Sequence, residues 1–449
     1  MLPALMKLLL TNARVVNEGR IDEADVLIAE DRIERIGPGT APAGAEVVDL
    51  AGAYLLPGVI DDQVHFRDPG LTHKATIASE SRAAIAGGVT SFLDMPNTSP
   101  PATDRQAIER KHAIAAAGSY ANYGFYLGAT NDNLEEIRRA DGSLVCGIKV
   151  FMGASTGNML VDDPRTLEAI FSEARLPVAA HCEDTPTIRA AEARFRERYG
   201  EDVPIEAHPE IRSAEACYKS SSLAVSLAKR HGTRLHVLHL TTARELELFA
   251  PGPIDGKRIT AEVCVHHLWF DDRAYPALGA RIKCNPAIKR PEDREALLAA
   301  VSSGKIDVIA TDHAPHTLEE KGRRYFEAPS GLPLVQHSLP MLLEQHRQGL
   351  LTLPTIVEKT AHNPARLFGI VDRGFVREGY FADLAVVDLE RETTVDRASV
   401  LYKCGWSPLE GATLRGRVAM TVLNGRIVYR DGRVLGGPCG RALAFRAAG

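Results

Sequence analysis

The sequence lacks the cysteine pattern of a disulfide framework or of a cysteine-based zinc site. Its seven cysteines are an odd number, they are scattered between positions 146 and 439, and no two of them form a CxxC pair. Disulfide-rich secreted domains and structural zinc sites both use cysteines at close, recurring spacings. The cysteine usage therefore fits a reducing compartment, and we expect a cytoplasmic protein.

Long apolar runs are also absent. No stretch of the chain approaches the roughly 20 apolar residues that a membrane-spanning helix needs. The start of the chain is apolar, but Lys7 lies inside the apolar run and no cleavage site follows it. Both features argue against a secretory signal peptide, and we expect no membrane partner.

Charge of one sign does not dominate the chain. The formal net charge is -5, 25% of the residues are charged, and no basic stripe stands out. A nucleic-acid-binding surface would need such a stripe, so nucleic acid is not an expected partner. Repeats and low-complexity segments are missing as well. The 449 residues are enough for a large domain and a smaller one.

Both ends of the chain are rich in short predicted strands. Near the start these are residues 8–16, 24–29, 32–36 and 46–50, with turns at 17–19 and 37–39. Near the end, residues 381–389 alternate in part between apolar and polar, and residues 420–423 and 426–429 flank an Asn-Gly hairpin turn. We expect residues 1–56 and 370–449 to form one small β-sandwich.

The middle of the chain alternates short apolar runs with helix-like segments. The apolar runs are residues 54–60, 91–93, 123–127, 147–151, 178–180, 235–238, 259–265, 282–285 and 308–310. Helical patterns between them include residues 76–86, 105–117, 213–231 and 290–301. Eight or nine such β units indicate an α/β chain and favour a (β/α)8 TIM-like barrel over residues 57–369.

Unusual polar residues follow these apolar runs directly. They are Gln63, His65, Asn97, His181, His239, Asn285, Asp312 and His316, while Lys149 lies inside the run 147–151. A TIM barrel brings the C-terminal ends of its strands to one face, where enzymes of this fold place their active sites. We therefore expect these side chains to meet in one site.

A subset of these residues has the donor atoms of a zinc site. The candidate ligands offer nitrogen and oxygen donors: His65, His181, His239 and Asp312. His236 competes on the same strand as His239, but a strand's period of two turns it the other way, so we assign it a structural role or a role in supporting the metal ligands. We also expect His266 and His267 to be mainly structural.

Lys149 is an unusual residue for the interior of such a site. A protonated lysine about 5 Å from a cation is repelled by about 3 kcal/mol per unit charge at an effective dielectric constant of ~20. Lys149 therefore either points away from the metal or carries no positive charge. Carboxylation by carbon dioxide would convert it into an anion that can bridge two metal ions.

The order and number of motifs resemble those of the dihydroorotases, a branch of the amidohydrolase superfamily close to the hydantoinases and allantoinases. The matching motifs are VHFRDPG (64–70), MPNT (95–98), KVFMG (149–153), HCED (181–184), HVLH (236–239), NP (285–286), ATDHAPH (310–316) and AHNPA (361–365). The segment GYFADLAV (379–386) is similar to the family's closing β unit. The resemblance covers essentially the whole chain.

The resemblance implies a role for each candidate residue. It implies that His65 binds a first zinc ion, that His181 and His239 bind a second, and that carboxylated Lys149 bridges them. Asp312 would be both a metal ligand and the general acid and base. The implied substrate-binding residues are Arg67, Asn97 and His316, which would hold a carboxylate, and Asn285, which would lie near the ring.

Gln63 departs from the family pattern, because the first strand of the family usually carries His-x-His. A glutamine amide oxygen is neutral and a weaker zinc ligand than imidazole. The first metal site is therefore expected to be weaker, bound by Gln63, or empty, which leaves one or two zinc ions per subunit. The superfamily also includes metal-free relatives, so a non-catalytic homologue is an open alternative.

The activity implied by the resemblance is the reversible cyclisation of N-carbamoyl-L-aspartate to dihydroorotate and water in pyrimidine biosynthesis. Arg67 favours this activity over a hydantoinase or allantoinase, because a guanidinium pairs bidentately with a carboxylate and their substrates are uncharged. Those two activities remain the alternatives. A homodimer is expected from the family alone, and the loop at residues 317–332 is a candidate lid over the substrate.

Overall fold

The fold was analysed in a computed structural model that describes residues 7–153 and 159–446. Part of the apolar start, residues 1–6, therefore lies outside the described residues. The strands before the barrel are β1 (Lys7–Asn17), β2 (Arg20–Ala29), β3 (Arg32–Ile36), β4 (Glu46–Asp49) and β5 (Tyr54–Pro57). The barrel strands are β6 (Val59–Val64), β7 (Val89–Asp94), β8 (Asn122–Gly128), β9 (Gly147–Phe151), β10 (Val178–His181), β11 (Leu235–Val237), β12 (Ile259–Cys264) and β13 (Val308–Ala310). The strands after it are β14 (Leu384–Thr394), β15 (Thr413–Leu423), β16 (Arg426–Arg430) and β17 (Arg433–Val434).

Helices fill most of the connections between barrel strands. The α-helices are α1 (Ile77–Ala86), α2 (Arg105–Gly118), α3 (Leu134–Arg138), α4 (Pro164–Glu173), α5 (Thr185–Tyr199), α6 (His208–Ile211), α7 (Ala214–His231), α8 (Val265–Trp269), α9 (Tyr275–Leu278), α10 (Pro291–Ser303), α11 (Leu318–Lys321), α12 (Ser338–Arg347), α13 (Leu353–Val357) and α14 (Asn363–Phe368). Side-chain caps begin several of them: Thr76 accepts from the backbone amide of Ser79 before α1, and Ser213 accepts from that of Ala216 before α7. These caps fix where the chain leaves a strand end and turns into a helix.

The eight strands β6 to β13 form a parallel sheet in sequence order. A parallel bridge between Val64 and His313 joins the two edges, and the amide of His65 donates to the carbonyl of His313 at 2.7 Å. The sheet is therefore a nearly closed barrel, and the predicted TIM-like fold is confirmed. Closure brings the end of β6 beside the residues that follow β13.

The strands from the two ends of the chain form one unit, as predicted. Strands β1 to β5 and β14 to β17 belong to a single nine-stranded mixed sheet. Its own apolar cluster includes Leu10, Ile28, Leu55, Val386 and Val422, which come from both ends of the chain. The pairing of β5 with β14 in antiparallel register joins the two ends.

The apolar run 54–60 is two strands rather than one. The strand is interrupted at Gly58: β5, before it, belongs to the mixed sheet, and β6, after it, belongs to the barrel. A Cβ atom at Gly58 would lie 2.2 Å from the Thr90 hydroxyl oxygen, which explains why only glycine fits this junction.

Residues 282–285 are not a strand, and that prediction is wrong. A 3₁₀ helix covers Gly279–Ile282, and the next element along the chain is the helix α10. The segment bonds instead to the loop after β13: Gly331 donates its amide to the carbonyl of Lys283 at 2.9 Å, and Lys321 Nζ donates to the same carbonyl at 3.0 Å. Residues 282–285 could not be a barrel strand next to β6, because β13 occupies that position.

A buried ion pair supports the segment that follows β6. Lys111 Nζ lies 2.6 Å from Asp94 Oδ2, and both side chains are almost fully buried. Asp94 Oδ1 accepts the backbone amide of Phe66 at 2.8 Å, and Lys111 Nζ also donates to the carbonyl of Met95 at 2.8 Å. The pair thus connects α2 and β7 to the residues that carry His65 and Arg67.

We predict that Lys111→Met lowers the free energy of unfolding by about 3–5 kcal/mol, because it leaves the Asp94 carboxylate buried without its partner. Chemical denaturation measures the change. The control is Arg138→Met, which breaks exposed pairs with Glu135 and Glu173 and should cost about 1 kcal/mol or less. Equal losses in the two variants would contradict this role for Lys111.

Candidate active site

A cavity of about 380 Å³ opens at the C-terminal ends of the barrel strands. It is lined by every residue that the sequence predicted for the site: Gln63, His65, Arg67, Asn97, Lys149, His181, His239, Asn285, Asp312 and His316. His236, His266 and His267 are buried but do not line it. The predicted convergence on one face is therefore what the structure shows.

Three of these residues turn the chain at the point where a strand ends. Arg67, His239 and Asp312 have φ angles of 65°, 39° and 47°, in the left-handed region that non-glycine residues seldom occupy. Such conformations cost of order 1–3 kcal/mol each and cluster at functional sites. Here they occur just after β6, β11 and β13, where the side chains enter the cavity.

His65 and Asp312 face each other across the closed seam of the barrel. His65 Nε2 lies 3.0 Å from Asp312 Oδ1, and His65 Nδ1 donates to Asn97 Oδ1 at 2.6 Å. Burial alone would raise the pKa of the Asp312 carboxyl, but the hydrogen bond and charge of His65 outweigh it and lower that pKa. Asp312 is therefore ionised at neutral pH. Gln63 Nε2 donates to Asp312 Oδ1 at 3.2 Å, so its amide nitrogen faces the carboxylate.

His181 and His239 form a second close pair. Their nitrogens Nδ1 and Nε2, respectively, are 3.0 Å apart. His181 Nε2 donates to Glu183 Oε2 at 3.0 Å, and Arg212 donates to the same oxygen at 2.5 Å. This chain of contacts fixes the ring so that Nδ1 points at His239. Burial lowers the pKa of both imidazoles, so both rings are neutral at neutral pH.

Lys149 points into the same space from the middle of β9. Its side chain is fully buried, and Nζ has no hydrogen-bond partner among the described residues. Burial lowers its pKa to about 8, which increases the fraction of neutral amine. Only the neutral amine has the lone pair that reacts with carbon dioxide.

Arg67 lies on the wall of the cavity without an acidic partner. Among the described residues, no carboxylate oxygen lies within 4.0 Å of its guanidinium, and the side chain is buried. Its Nε donates to the carbonyl of Pro315 at 3.2 Å, and Nη2 lies 3.0 Å from His316 Nε2. Lys74 Nζ donates to His316 Nδ1 at 3.0 Å, which fits a neutral imidazole. A cationic group with no directly paired carboxylate among the described residues is thus presented to the cavity, and the carboxylates of Asp312, Asp94 and Glu320 act on its charge from further away.

Part of the cavity wall was not predicted from the sequence. His208, Arg212 and Lys283 line the cavity, and all three lie outside the barrel strands. His208 Nδ1 lies 2.8 Å from the Tyr325 hydroxyl, and His208 Nε2 donates to the carbonyl of Cys284 at 2.7 Å. The rule that site residues follow strands could not find them. The predicted lid segment 317–332 contributes Tyr325 and Ser330 to the cavity lining. The Ser330 hydroxyl donates to Asn285 Oδ1 at 3.0 Å.

The donor set fits a divalent metal ion. Two ligand atoms at 2.0–2.1 Å from a tetrahedral zinc ion are roughly 3.3 Å apart. The His65–Asp312 and His181–His239 atom pairs, each 3.0 Å apart, lie close to that separation. Lys149 Nζ is an orphaned buried atom beside them. The nitrogen and oxygen atoms that converge here are those that zinc-class ions prefer.

Comparisons with known proteins agree with this architecture. The amidohydrolase family model matches residues 54–428. A dihydroorotase from Methanothermobacter thermautotrophicus is 35% identical over 96% of this chain and 96% of its own length. An allantoinase from Rubrobacter xylanophilus is 33% identical over the same shares. The solved L-hydantoinase (dihydropyrimidinase) from Arthrobacter aurescens superposes with a TM-score of 0.93 at 28% identity, over 98% of this chain and 100% of that chain.

Across the residues that the structure describes, no helix combines the length and the apolar character that crossing a membrane requires.

We predict that removing metal with a chelator lowers the unfolding temperature, because the converging buried ligand atoms would lose the cation between them. A ligand present at 100 times its dissociation constant stabilises the native state by about 2.7 kcal/mol. Thermal unfolding with and without added Zn²⁺ measures this effect. His239→Ala should reduce the increase in unfolding temperature that Zn²⁺ causes. An unfolding temperature that changes with neither chelator nor zinc would contradict a metal centre.

Proposed function

Because the chain belongs to the amidohydrolase family, and is a hydrolase of cyclic amides, we propose that its specific activity is that of a dihydroorotase. The reaction is the reversible cyclisation of N-carbamoyl-L-aspartate to dihydroorotate and water, a step of pyrimidine biosynthesis. In the hydrolytic direction it breaks one ring amide and releases the ring nitrogen as part of a ureido group.

The observation that carries this proposal is the unpaired guanidinium of Arg67. Burial lowers its pKa to about 10, so it stays cationic at neutral pH. A buried charge without a partner is costly, and a bound carboxylate would supply the missing anion. Dihydroorotate has such a carboxylate, whereas hydantoin and allantoin do not. Asn97 and His316 flank Arg67 in the same cavity and would complete the carboxylate site.

The proposed metal ligands are the converging donors already described. His65 and Asp312 would hold one zinc ion, His181 and His239 another, and Lys149, once carboxylated, would contribute to both. Gln63 would take part only if its amide turned, because its nitrogen now faces Asp312. When bound, zinc supplies Lewis-acid polarisation of the amide carbonyl and makes water more acidic.

Asp312 would carry the proton between the two halves of the reaction. Its carboxylate is ionised and lines the cavity, so it can accept a proton from the attacking water. The same carboxyl group then returns that proton to the ring nitrogen as the carbon–nitrogen bond breaks. His65 and Gln63 contact Oδ1, so the other oxygen, Oδ2, would make this transfer. Asn285, which also lines the cavity, would contact the ring.

Other features of the proposal follow from the family and the fold. We assign the chemistry to residues 57–369 and a supporting role to the β unit formed by residues 1–56 and 370–449. One or two zinc ions per subunit, a cytoplasmic location and a homodimer are part of the same proposal.

A comparison of substrates tests the proposed function. We predict that the enzyme hydrolyses dihydroorotate with a much higher kcat/KM than hydantoin or allantoin. Arg67→Met should raise KM for dihydroorotate roughly 10- to 150-fold, the equivalent of losing a charged hydrogen bond of about 1.5–3 kcal/mol.

The control for this experiment is Arg67→Lys, which keeps the charge but loses the bidentate fork, and should give an intermediate KM. Metal content should be the same in all three proteins. An unchanged KM in Arg67→Met would remove the carboxylate assignment. A preference for hydantoin or allantoin would assign the protein to one of the other two activities.

We predict that Asp312→Asn lowers kcat by roughly 10²- to 10⁴-fold, because the amide cannot accept and return a proton. Steady-state kinetics on the folded variant measures the loss. Asp307→Asn is the matched control: Asp307 lies just before β13, is buried, and pairs with Lys257 at 2.8 Å, far from the strand's active-site end. Near-normal turnover in Asp312→Asn would exclude it as the proton carrier.

A further inference from the structure

A second group of buried polar side chains lies inside the barrel. Asp62, His236 and Glu262 come from β6, β11 and β12, all three are fully buried, and none of them lines the active-site cavity. Their ligand atoms lie within 4.8 Å of one another. We propose that these three residues bind a further divalent, zinc-class cation, at a site separate from the candidate active site.

The hydrogen bonds around His236 leave one nitrogen free for a cation. The hydroxyl of Thr260 donates to the carbonyl of Leu235 at 3.2 Å, so its oxygen accepts from His236 Nδ1 at 2.8 Å. Nδ1 therefore carries a hydrogen, and Nε2 points at the two carboxylates, where the lone pair of a neutral ring would be available to a cation. Three electron-rich groups that face each other in a closed space need a positive charge between them.

The distances match a shared metal ion better than a hydrogen bond. His236 Nε2 lies 3.3 Å from Asp62 Oδ2 and 3.5 Å from Glu262 Oε2. Charge-assisted hydrogen bonds between these groups are about 2.7–2.9 Å long. Ligand atoms at 2.0–2.2 Å from a tetrahedral zinc ion are roughly 3.3–3.6 Å apart. The observed separations fall in the second range.

Several polar atoms of the cluster lack a hydrogen-bond partner among the described residues. Among the described residues, both carboxylate oxygens of Asp62, Oε2 of Glu262 and Nε2 of His236 have no hydrogen-bond partner. Two oxygens from Asp62, one from Glu262 and one ring nitrogen would give four donor atoms. A histidine with two carboxylates suits zinc-class ions more than magnesium, which prefers oxygen ligands.

A dication would balance the charge of the cluster, because two carboxylates, a neutral imidazole and a dication sum to zero. The rings of Tyr126 and Phe368 border the cluster: Phe368 lies edge-on to His236, with centroids 6.0 Å apart, and Tyr126 donates its hydroxyl to the carbonyl of Asp62 at 3.0 Å. In such surroundings an uncompensated charge is costly.

The proposed ion would also position part of the active site. Glu262 uses its other oxygen, Oε1, to accept the backbone amide of His239 at 3.0 Å. Asp62 directly precedes Gln63 in β6. A cation that holds Glu262 and Asp62 would therefore hold the backbone beside two residues that line the cavity.

X-ray data collected above and below the zinc absorption edge, on crystals of the full-length protein purified with Zn²⁺, test this site directly. We expect an anomalous peak about 2.0–2.2 Å from His236 Nε2 and from oxygens of Asp62 and Glu262. No peak there, with the nitrogen–oxygen separations shortened to 2.7–2.9 Å, would overturn the proposal in favour of a shared proton. This result does not depend on peaks at the cavity or on turnover of dihydroorotate.

Metal analysis of two neighbouring variants gives an independent test. Asp62→Asn should contain one zinc ion per chain fewer than the wild type. Asp61→Asn is the matched control, because Asp61 is buried one position earlier on β6 but bonds to the Thr311 hydroxyl at 2.6 Å instead of joining the cluster. It should keep the wild-type zinc content. Equal zinc content in Asp62→Asn and Asp61→Asn would overturn the proposal, and if Asp62→Asn does not fold, the anomalous map of the wild type decides.

Discussion

The convergence of buried ligand atoms on one another is the constraint on which the rest of the structure depends. His65 Nε2 lies 3.0 Å from Asp312 Oδ1, and His181 Nδ1 lies 3.0 Å from His239 Nε2. The barrel enforces these meetings, because closure between Val64 and His313 fixes which strand ends are neighbours. Left-handed backbone at Arg67, His239 and Asp312 then turns the side chains inward. The fold thus holds the ligand atoms in place before any metal arrives.

The cavity contains both an ionised carboxylate and a guanidinium. Asp312 lines it after β13, and Arg67 lines it after β6 with no carboxylate within 4.0 Å among the described residues. A substrate with a carboxylate at one end and an amide carbonyl at the other would contact both groups at once. The positions of the carboxylate and the guanidinium in the cavity would therefore determine which substrates bind.

Much of this organisation could be predicted from the sequence, because it depends on local patterns. The apolar runs mark the barrel strands, and polar residues after them identify the cavity. The prediction for residues 282–285 failed because an apolar run of that length suits a strand or a buried loop equally, and only contacts with Lys321 and Gly331 decide between them. His208 and Arg212 were missed for a related reason, since their approach to the cavity depends on long-range packing. The partners of His236 could not be predicted, because the bulge in β6 that separates Asp61 from Val64 has no sequence signal.

We propose that the converging donors hold zinc-class ions through nitrogen and oxygen atoms alone. X-ray absorption spectroscopy at the zinc edge of the purified, metal-loaded protein measures the atoms that surround the metal. We expect a shell of nitrogen and oxygen scatterers at roughly 2.0–2.2 Å with the outer scattering of imidazole rings. A sulfur shell near 2.3 Å, or a protein that retains no metal, would contradict it.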